Sequence, residues 1–406
     1  MLHVLVALLF STVSTASTVS TVSTAAPTSL ASTTVVMPAA GDAVVSLTID
    51  DANFPAATGL DLVVDGDIRS TVLVFGKIGH GPYSALLHEL PAGRHDIVAQ
   101  PSPYWAWPGS APPLTLTVSP APESTITARA PALWLRSDTI GVATDLPLAM
   151  YAEDTRVDGT GVLRYSVIFS NEDGGTATPA LLARWGRTTD IEMAYEEEWR
   201  GGKMVSARYQ APDHHVIEYA GTRQGQHPSL VDATLNNVFL DRGRTAVRVT
   251  MVPIVADLQS ATRESVMDRQ PWIYRRMANE LQEEGKAAVF GDVREYLYVD
   301  ARLTLSGSAV AALARGVDGT WRSSDRGLKE LAVDRNGWVR IAIPQARNAT
   351  DVGFQCYPLK PAAGTCRVEI SRVLALDNNY KPGPDRGAGT LELETGQMQT
   401  IALKKY

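Results

Sequence analysis

Apolar and polar residues alternate in short runs over the first part of the chain, which is the pattern of half-buried β-strands. Glycine, proline, aspartate or asparagine separates seven such runs within residues 43–130. Runs of this length and spacing, with no helical period between them, are typical of a small antiparallel sandwich. The sequence therefore predicts an immunoglobulin-like β-sandwich at 43–130. The seven runs are AVVSLTI, LDLVV, STVLVF, YSALLHEL, HDIVAQ, LTLTV and STITARA.

One later segment has the period of a helix instead. Ile273, Met277 and Leu281 follow one another at four-residue steps, Pro271 stands near the start, and Gly285 follows the end. Apolar residues at this spacing form one stripe along a helix, with proline favoured in its first turn and glycine beyond its last. We expect a single amphipathic helix of about 14 residues lying against a sheet.

Strand-like runs return on both sides of this helix. A proline-rich stretch at 120–133 separates them from the N-terminal sandwich. The predicted fold class is therefore mainly β, with the immunoglobulin-like sandwich followed by a larger antiparallel β-rich domain at 131–406, sandwich or jelly-roll-like, that carries the one helix.

The N-terminus has the pattern of an export signal. An apolar run, MLHVLVALLF, precedes small residues that a signal peptidase accepts, although no lysine or arginine occurs before Arg69. We predict a signal peptide at 1–26 and a disordered Ser/Thr-rich linker at 27–42, because that tract has too little bulky apolar surface to fold. No apolar run reaches about 18 residues, so a secreted or periplasmic protein without a membrane span is expected.

Composition and charge narrow the class of partner. The chain has 406 residues, which suits two or three domains. Its formal net charge is −7, with no cluster of lysine or arginine. A nucleic-acid surface needs a dense cationic face, so we expect no nucleic-acid partner.

The two cysteines lie close together in the sequence. Cys356 and Cys366 flank a loop that contains two prolines and a glycine. In an oxidising compartment this spacing predicts a local disulfide, and two reduced, buried cysteines are the alternative.

Candidate chemistry is concentrated between residues 163 and 239. If 187–195 is a strand, alternation puts Asp190 and Glu192 side by side on one face. Adjacent carboxylates repel, so one can hold its proton near neutral pH and form an acid/base pair. Arg184 and Arg187 are candidates to bind an anionic substrate. The alternative is an acidic face exposed to solvent.

Histidines follow on the next predicted strand. His214 shares a face with Glu218, whereas His215 points to the other face, and a histidine beside a carboxylate can act as a general base. His227 could complete a metal site with either of them. No compact metal-ligand spacing is present, so we predict neither a metal nor another cofactor.

Amides and a tyrosine complete the candidate set. Asn236, Asn237 and Tyr209 supply groups that can neutralise a sugar carboxylate or move its neighbouring proton. No nucleophile elbow, phosphate loop, dinucleotide fingerprint or zinc-protease motif occurs.

Two hypotheses follow from these residues. The first is a secreted polysaccharide hydrolase or lyase, and the second is a non-catalytic extracellular binding or structural β-sandwich protein in which the same residues form a buried polar network. For the enzyme, the predicted catalytic residues are Asp190, Glu192, His214 and His215. The predicted substrate-binding residues are Arg184, Arg187, Tyr209, Glu218, His227, Asn236 and Asn237.

Overall fold

A computed structural model describes residues 29–52, 54–78, 83–107, 112–359 and 364–405. The fold is mainly β, with several antiparallel sheets, as predicted. The predicted signal peptide at 1–26 lies outside the described residues. Within the part of the chain that is described, no helix is long and apolar enough to cross a membrane.

The first seven strands form two sheets. One sheet has the order β1-β6-β3-β4 and the other has the order β5-β2-β7. Strand β2 shows why they form, because Ala43, Val45, Leu47 and Ile49 alternate along it and are all buried. The strands are β1 (Ala31–Met37), β2 (Gly41–Ile49), β3 (Thr58–Val64), β4 (Asp67–Val74), β5 (Tyr83–Leu90), β6 (Gly93–Pro101) and β7 (Leu114–Pro120).

Two predictions for this region are wrong. Strand β1 lies within the predicted disordered linker at 27–42, where it pairs with β6 and buries Val35 and Met37. The last of the seven predicted strands is instead a short helix, α1 (Thr125–Ala128), whose first turn is capped by the Ser124 side chain. Strand β1 forms although it buries little apolar surface, because the neighbouring strand β6 supplies hydrogen-bond partners for its backbone.

The central part of the chain contributes two further sheets. Their orders are β13-β12-β11-β10-β9-β18 and β14-β15-β8-β17, and β16 pairs with β15. The strands are β8 (Ala132–Trp134), β9 (Pro147–Asp154), β10 (Gly161–Phe169), β11 (Asp190–Arg200), β12 (Lys203–Gln210), β13 (Val216–Glu218), β14 (Arg223–Gln224), β15 (His227–Asp232), β16 (Phe239–Leu240), β17 (Arg248–Thr250) and β18 (Ile254–Val255).

Three helices belong to this part, α2 (Thr178–Trp185), α3 (Pro271–Glu283) and α4 (Ala287–Phe290). The sequence predicted α3 alone. Its Ile273, Met277 and Leu281 are buried, as the four-residue step predicts. Arg276 of the same helix is buried as well, and it donates to Glu283 at 2.8 Å. Short 3-10 turns occur at Pro212–His214, Arg263–Arg269, Val293–Glu295 and Lys329–Leu331.

The last eight strands form two facing sheets with their own buried cluster of side chains. The predicted disulfide is confirmed, and it joins β23 of one sheet to β24 of the other through Cys356 and Cys366. The strands are β19 (Leu297–Ser306), β20 (Ser308–Arg315), β21 (Trp321–Ser323), β22 (Gly337–Ile343), β23 (Asp351–Pro358), β24 (Thr365–Leu374), β25 (Gly389–Glu394) and β26 (Met398–Ala402). Their orders are β22-β19-β24-β25 and β21-β20-β23-β26.

A buried ion network connects these last sheets to the central part. Arg340 on β22 is fully buried and donates to Asp300 at 2.7 Å and to Asp268 at 2.8 Å. Arg372 donates to the same two carboxylates. Burial alone would raise the pKa of Asp268, but the two guanidinium groups lower it below its ordinary value. Each charged side chain in the network is therefore stabilised in the interior by its oppositely charged partners.

We predict that Arg340→Leu destabilises the protein by about 3–5 kcal/mol, because it leaves buried carboxylates without their main cation. Urea unfolding followed by tryptophan fluorescence measures this loss. The matched control is Arg367→Leu on β24 of the same sheet, whose ion pair with Glu369 is exposed and contributes about 1 kcal/mol or less. Equal losses in the two variants would contradict the assignment of a buried network.

Candidate functional site

Several of the predicted site residues line one open pocket, which we call the acidic pocket. Its cavity volume is about 350 Å³. A pocket of this size can hold a sugar ring or a similar small group. Its lining residues are Glu172, Gly175, Thr176, Leu181, Trp185, Arg187, Asp190, Glu192, Gln210, His214, Asn236, Arg263 and Arg335.

Asp190 and Glu192 lie on the same side of β11, as alternation along a strand predicts. Asp190 is buried and tightly held. Its carboxylate accepts hydrogen bonds from the Ile191 amide at 2.8 Å and from the Asn237 side chain at 3.0 Å, and Arg187 lies 3.6 Å away. Because both oxygens are engaged, Asp190 is part of the fixed wall of the pocket.

Glu192 is the most strongly perturbed acid of the pocket. Burial and the neighbouring Asp190 carboxylate raise its pKa to about 8, against the opposing effect of Arg263 and Arg187. The Gln210 amide on β12 donates to its carboxyl group. Glu192 is therefore a carboxylic acid that keeps its proton at neutral pH, which is the property of a general acid.

His214 stands at the rim, with its side chain 48% exposed. Its Nδ1 lies 3.6 Å from Glu192 and 2.7 Å from the Gln210 amide, and its Nε2 contacts the Asn236 amide. A neutral imidazole has one N–H and one lone pair, so it can accept from only one amide, and the other amide must turn its oxygen towards the ring. The two amides therefore determine which ring nitrogen carries the lone pair that can accept a proton.

Glu172 and Gly175 come from the NEDGG turn between β10 and α2. The Glu172 carboxyl accepts from the Thr176 amide at 2.8 Å. Burial, and then the Asp190 carboxylate, raise the pKa of Glu172 to about 7. A Cβ at Gly175 would meet the Glu172 carboxyl at 1.5 Å and the Asn236 amide oxygen at 1.9 Å, so a side chain there would displace both groups from the pocket wall.

Two arginines reach the acidic pocket from distant parts of the chain. Arg263 donates to the Ile191 carbonyl at 3.0 Å. Arg335 lies over the Trp185 ring at 4.5 Å, and its buried Nε has no hydrogen-bond partner among the described residues. Burial lowers the pKa of Arg335 to about 10, which still leaves it cationic at neutral pH. An unpartnered cation in an open pocket is suited to an anionic ligand.

Six of the predicted site residues do not line this pocket, and they are Arg184, Tyr209, His215, Glu218, His227 and Asn237. Arg184 donates to the Glu330 carbonyl instead. Tyr209 is buried on the other side of β12, edge-on to the Tyr219 ring. His215 and Glu218 are exposed at and beyond the 3-10 turn that carries His214. Alternation along β12 puts Tyr209 on the face opposite Gln210, and the chain beyond the 3-10 turn carries His215 and Glu218 away from the pocket.

His227 lies elsewhere, and it belongs to a group that could hold a metal ion. Its Nδ1 contacts the Ala130 carbonyl at 2.8 Å and its Nε2 faces the Asp42 carboxylate at 3.0 Å. Ligand atoms of Asp42, Glu89 and His227 lie within 4.8 Å of one another, which is the one such group among the described residues. An ion pair between His227 and Asp42 accounts for the same contacts, so this group does not overturn the prediction of no metal.

Sequence reasoning missed Glu172, Arg263, Arg335 and Trp185 as pocket residues. Glu172 follows a strand-like run within residues 163–239, but its NEDGG segment has the composition of a tight turn, which does not distinguish a site residue. Arg263 and Arg335 carry no local motif, and only the packing of the last sheets against the central part brings Arg335 here. Gln210 was recognised as a suitable residue type but was not included in the predicted site.

Comparisons with known proteins add no identification. No protein-family model matches the chain, and no curated protein matches it either.

The raised pKa of Glu192 has a consequence for stability. A carboxyl whose folded-state pKa of about 8 exceeds the ordinary 4.5 stabilises the fold fully below pH of about 4.5, and this contribution disappears as the pH rises through about 8. We predict that the stability of the parent protein falls relative to Glu192→Gln by a few kcal/mol between about pH 5 and pH 9. Thermal unfolding across this range measures the difference.

The matched control for this measurement is Glu198→Gln on the same strand. Arg200 lowers the pKa of Glu198, which is exposed, so its proton is lost well below the pH range tested. The difference between the parent and Glu198→Gln should stay flat from about pH 5 to pH 9. If the stability difference between the parent and Glu192→Gln also stays constant over this pH range, the pKa of Glu192 is not raised.

Proposed function

We propose that this chain is a secreted enzyme that cleaves an acidic polysaccharide, with the acidic pocket as its active site. The observation that carries the proposal is the neutral carboxyl of Glu192 beside the His214 imidazole in an open pocket. Such a pair supplies a proton donor and a proton acceptor at neutral pH, which cleavage of a glycosidic bond requires.

β-Elimination suits these residues best. His214 removes the proton from the sugar carbon next to the carboxylate. The electron pair forms a carbon–carbon double bond, the bond from the adjacent carbon to the glycosidic oxygen breaks, and Glu192 gives its proton to that oxygen. Arg335 would bind the sugar carboxylate and stabilise the negative charge that develops on it, since its Nε has no protein partner.

Hydrolysis is the second candidate, and the proximity of two acids favours it. Glu192 would again protonate the leaving oxygen, while Asp190 or Glu172 would activate water. Asp190 is less suited to this role, because its two oxygens already accept hydrogen bonds from Ile191 and Asn237.

The finer features of the fold belong to the same proposal. We infer that β1 through β7 form an immunoglobulin-like sandwich that supports the active-site domain at 131–406, which would have a jelly-roll-like or sandwich topology. Export to a secreted or periplasmic location is supported by the disulfide, which forms in oxidising compartments. A polysaccharide rather than a nucleic acid is the proposed partner, because a nucleic-acid surface needs a dense cationic face and the sequence has no cluster of lysine or arginine.

We predict that Glu192→Gln and His214→Ala each lower kcat/KM on an acidic polysaccharide by about 100-fold or more, because each removes one proton-transfer group. A screen of pectate, alginate, hyaluronan and heparan sulfate, read by ultraviolet absorbance and by reducing ends, identifies the substrate.

Activity should fall as the pH rises through about 8, where Glu192 loses its proton. Elimination gives an ultraviolet-absorbing unsaturated product, whereas hydrolysis gives reducing ends alone.

His215→Ala is the matched control, because His215 is the exposed neighbour of His214 and does not line the pocket. It should retain the parent activity. If His214→Ala and Glu192→Gln both keep full activity on a substrate that the protein cleaves, the acidic pocket is not the active site. If the protein cleaves none of the polysaccharides tested, the hypothesis of a non-catalytic binding or structural protein replaces the hypothesis of an enzyme.

A further inference from the structure

A second pocket, with no residue in common with the acidic pocket, lies where strand β4 meets the sheet β14-β15-β8-β17. Its cavity volume is about 420 Å³, and we call it the basic pocket. Three arginines contribute to its lining, and no aspartate or glutamate does. The lining residues are Ile68, Ala132, Trp134, Thr222, Arg223, Gln224, His227, Ser229, Arg244, Ala246 and Arg248.

Two of these arginines have no acidic partner among the described residues. Arg248 donates to the Arg69 carbonyl at 3.4 Å and contacts His88 Nδ1 at 3.1 Å, and both are neutral acceptors. Arg244 contacts the Trp134 ring at 5.8 Å. The third, Arg223, differs because Glu197 lies 3.7 Å from it. The basic pocket therefore contains positive charge that the described part of the protein does not neutralise.

The electrostatics of Arg248 agree with this contact pattern. Burial, together with the nearby Arg69 and Arg244 cations, lowers the pKa of Arg248 to about 10. Like charges held together beside a cavity cost free energy, and a bound anion would remove that cost.

Aromatic and polar groups complete the pocket. Trp134 is half-buried, and its indole N–H donates to Ser229 at 2.9 Å, which fixes the orientation of the ring. A fixed indole beside arginines offers an apolar surface for a sugar ring and cations for its acidic group. Gln224 and Thr222 add hydrogen-bonding groups at the wall.

We propose that the basic pocket binds an anionic sugar residue, whose carboxylate or sulfate group is held by Arg244 and Arg248 and whose ring packs against Trp134. It is a binding site separate from the acidic pocket. A polysaccharide bound there would be held to the protein independently of cleavage, so this proposal does not require the proposed activity.

Isothermal titration calorimetry with the full chain tests the proposal. The protein carries Glu192→Gln so that turnover does not obscure binding. The probes are galacturonate oligosaccharides, sulfated heparin-type oligosaccharides, neutral cello-oligosaccharides and inorganic sulfate. We expect at least one anionic oligosaccharide to bind, the neutral one not to bind, and affinity to fall as salt is added. The better of the two anionic probes identifies carboxylate or sulfate as the preferred group.

Arg244→Ala should weaken this binding about tenfold, which corresponds to the loss of one charge-assisted contact. The residue is exposed, so the variant should fold. Arg242→Ala is the matched control, because Arg242 is an exposed arginine two residues away that does not line the pocket. Its affinity should equal that of the parent within about twofold.

Arg335→Ala separates the two pockets. Binding that persists in Arg335→Ala and weakens in Arg244→Ala belongs to the basic pocket and supports the proposal. Binding lost in Arg335→Ala and unchanged in Arg244→Ala belongs to the acidic pocket and overturns it. The proposal is also overturned if no anionic oligosaccharide binds, if neutral oligosaccharide or inorganic sulfate binds as tightly, or if Arg242→Ala weakens binding as much as Arg244→Ala.

Discussion

Buried charge pairs link the last two sheets to the floor of the acidic pocket. Arg187 lies 3.6 Å from Asp190 in the pocket wall and donates to the Glu264 carboxyl at 3.3 Å. The Glu264 carbonyl in turn accepts from Arg340 at 3.2 Å, and Arg340 pairs with Asp300. A buried ion tolerates little displacement from its partners, because an unpaired charge in a dry interior is costly. The position of β22 is therefore coupled to the position of the pocket wall.

A glycine makes this connection possible. Gly186 ends α2 in the left-handed conformation, with φ of 62°, and a side chain there would meet the Arg340 stem at 2.6 Å. The same residue thus turns the chain from α2 towards β11 and leaves room for the arginine beneath it. Packing of the last sheets against this turn also brings Arg335 over Trp185. The acidic pocket is consequently built by residues from both sides of the ion network.

The charge balance of the acidic pocket follows from the raised pKa values. Three arginines and three carboxyl groups line it, so it would be neutral if all of them were ionised. The pKa of Glu192 is about 8 and that of Glu172 is about 7, so near neutral pH these two acids carry less than their full negative charge. The arginines are then incompletely neutralised. An acidic polysaccharide would restore the balance, whereas a neutral one would not, which is the electrostatic reason to prefer an anionic substrate.

Local patterns could predict much of the fold, because alternation and four-residue steps report which side of an element is buried. They correctly gave β2 through β7, α3, the disulfide, and the shared side of Asp190 and Glu192. They could not give Arg335 or Arg263, since nothing near either residue in the sequence distinguishes it from an exposed arginine. Strand β1 was missed for a related reason, because its stability comes from its pairing with β6 rather than from its own composition.

The predicted site included too many residues partly because it contained pairs of adjacent residues of the same type, of which only one lines the pocket. Neighbouring side chains at a turn point in different directions, and both pairs lie at turns, because His214 ends a 3-10 turn and Asn236 lies in the turn before β16. His214 and Asn236 face the acidic pocket, whereas His215 is exposed to solvent and Asn237 is buried behind Asp190. The buried member still contributes, because Asn237 fixes the carboxylate that raises the pKa of Glu192. A cluster of polar residues in sequence therefore divides into those that can contact a ligand and those that position them, and only the fold separates the two.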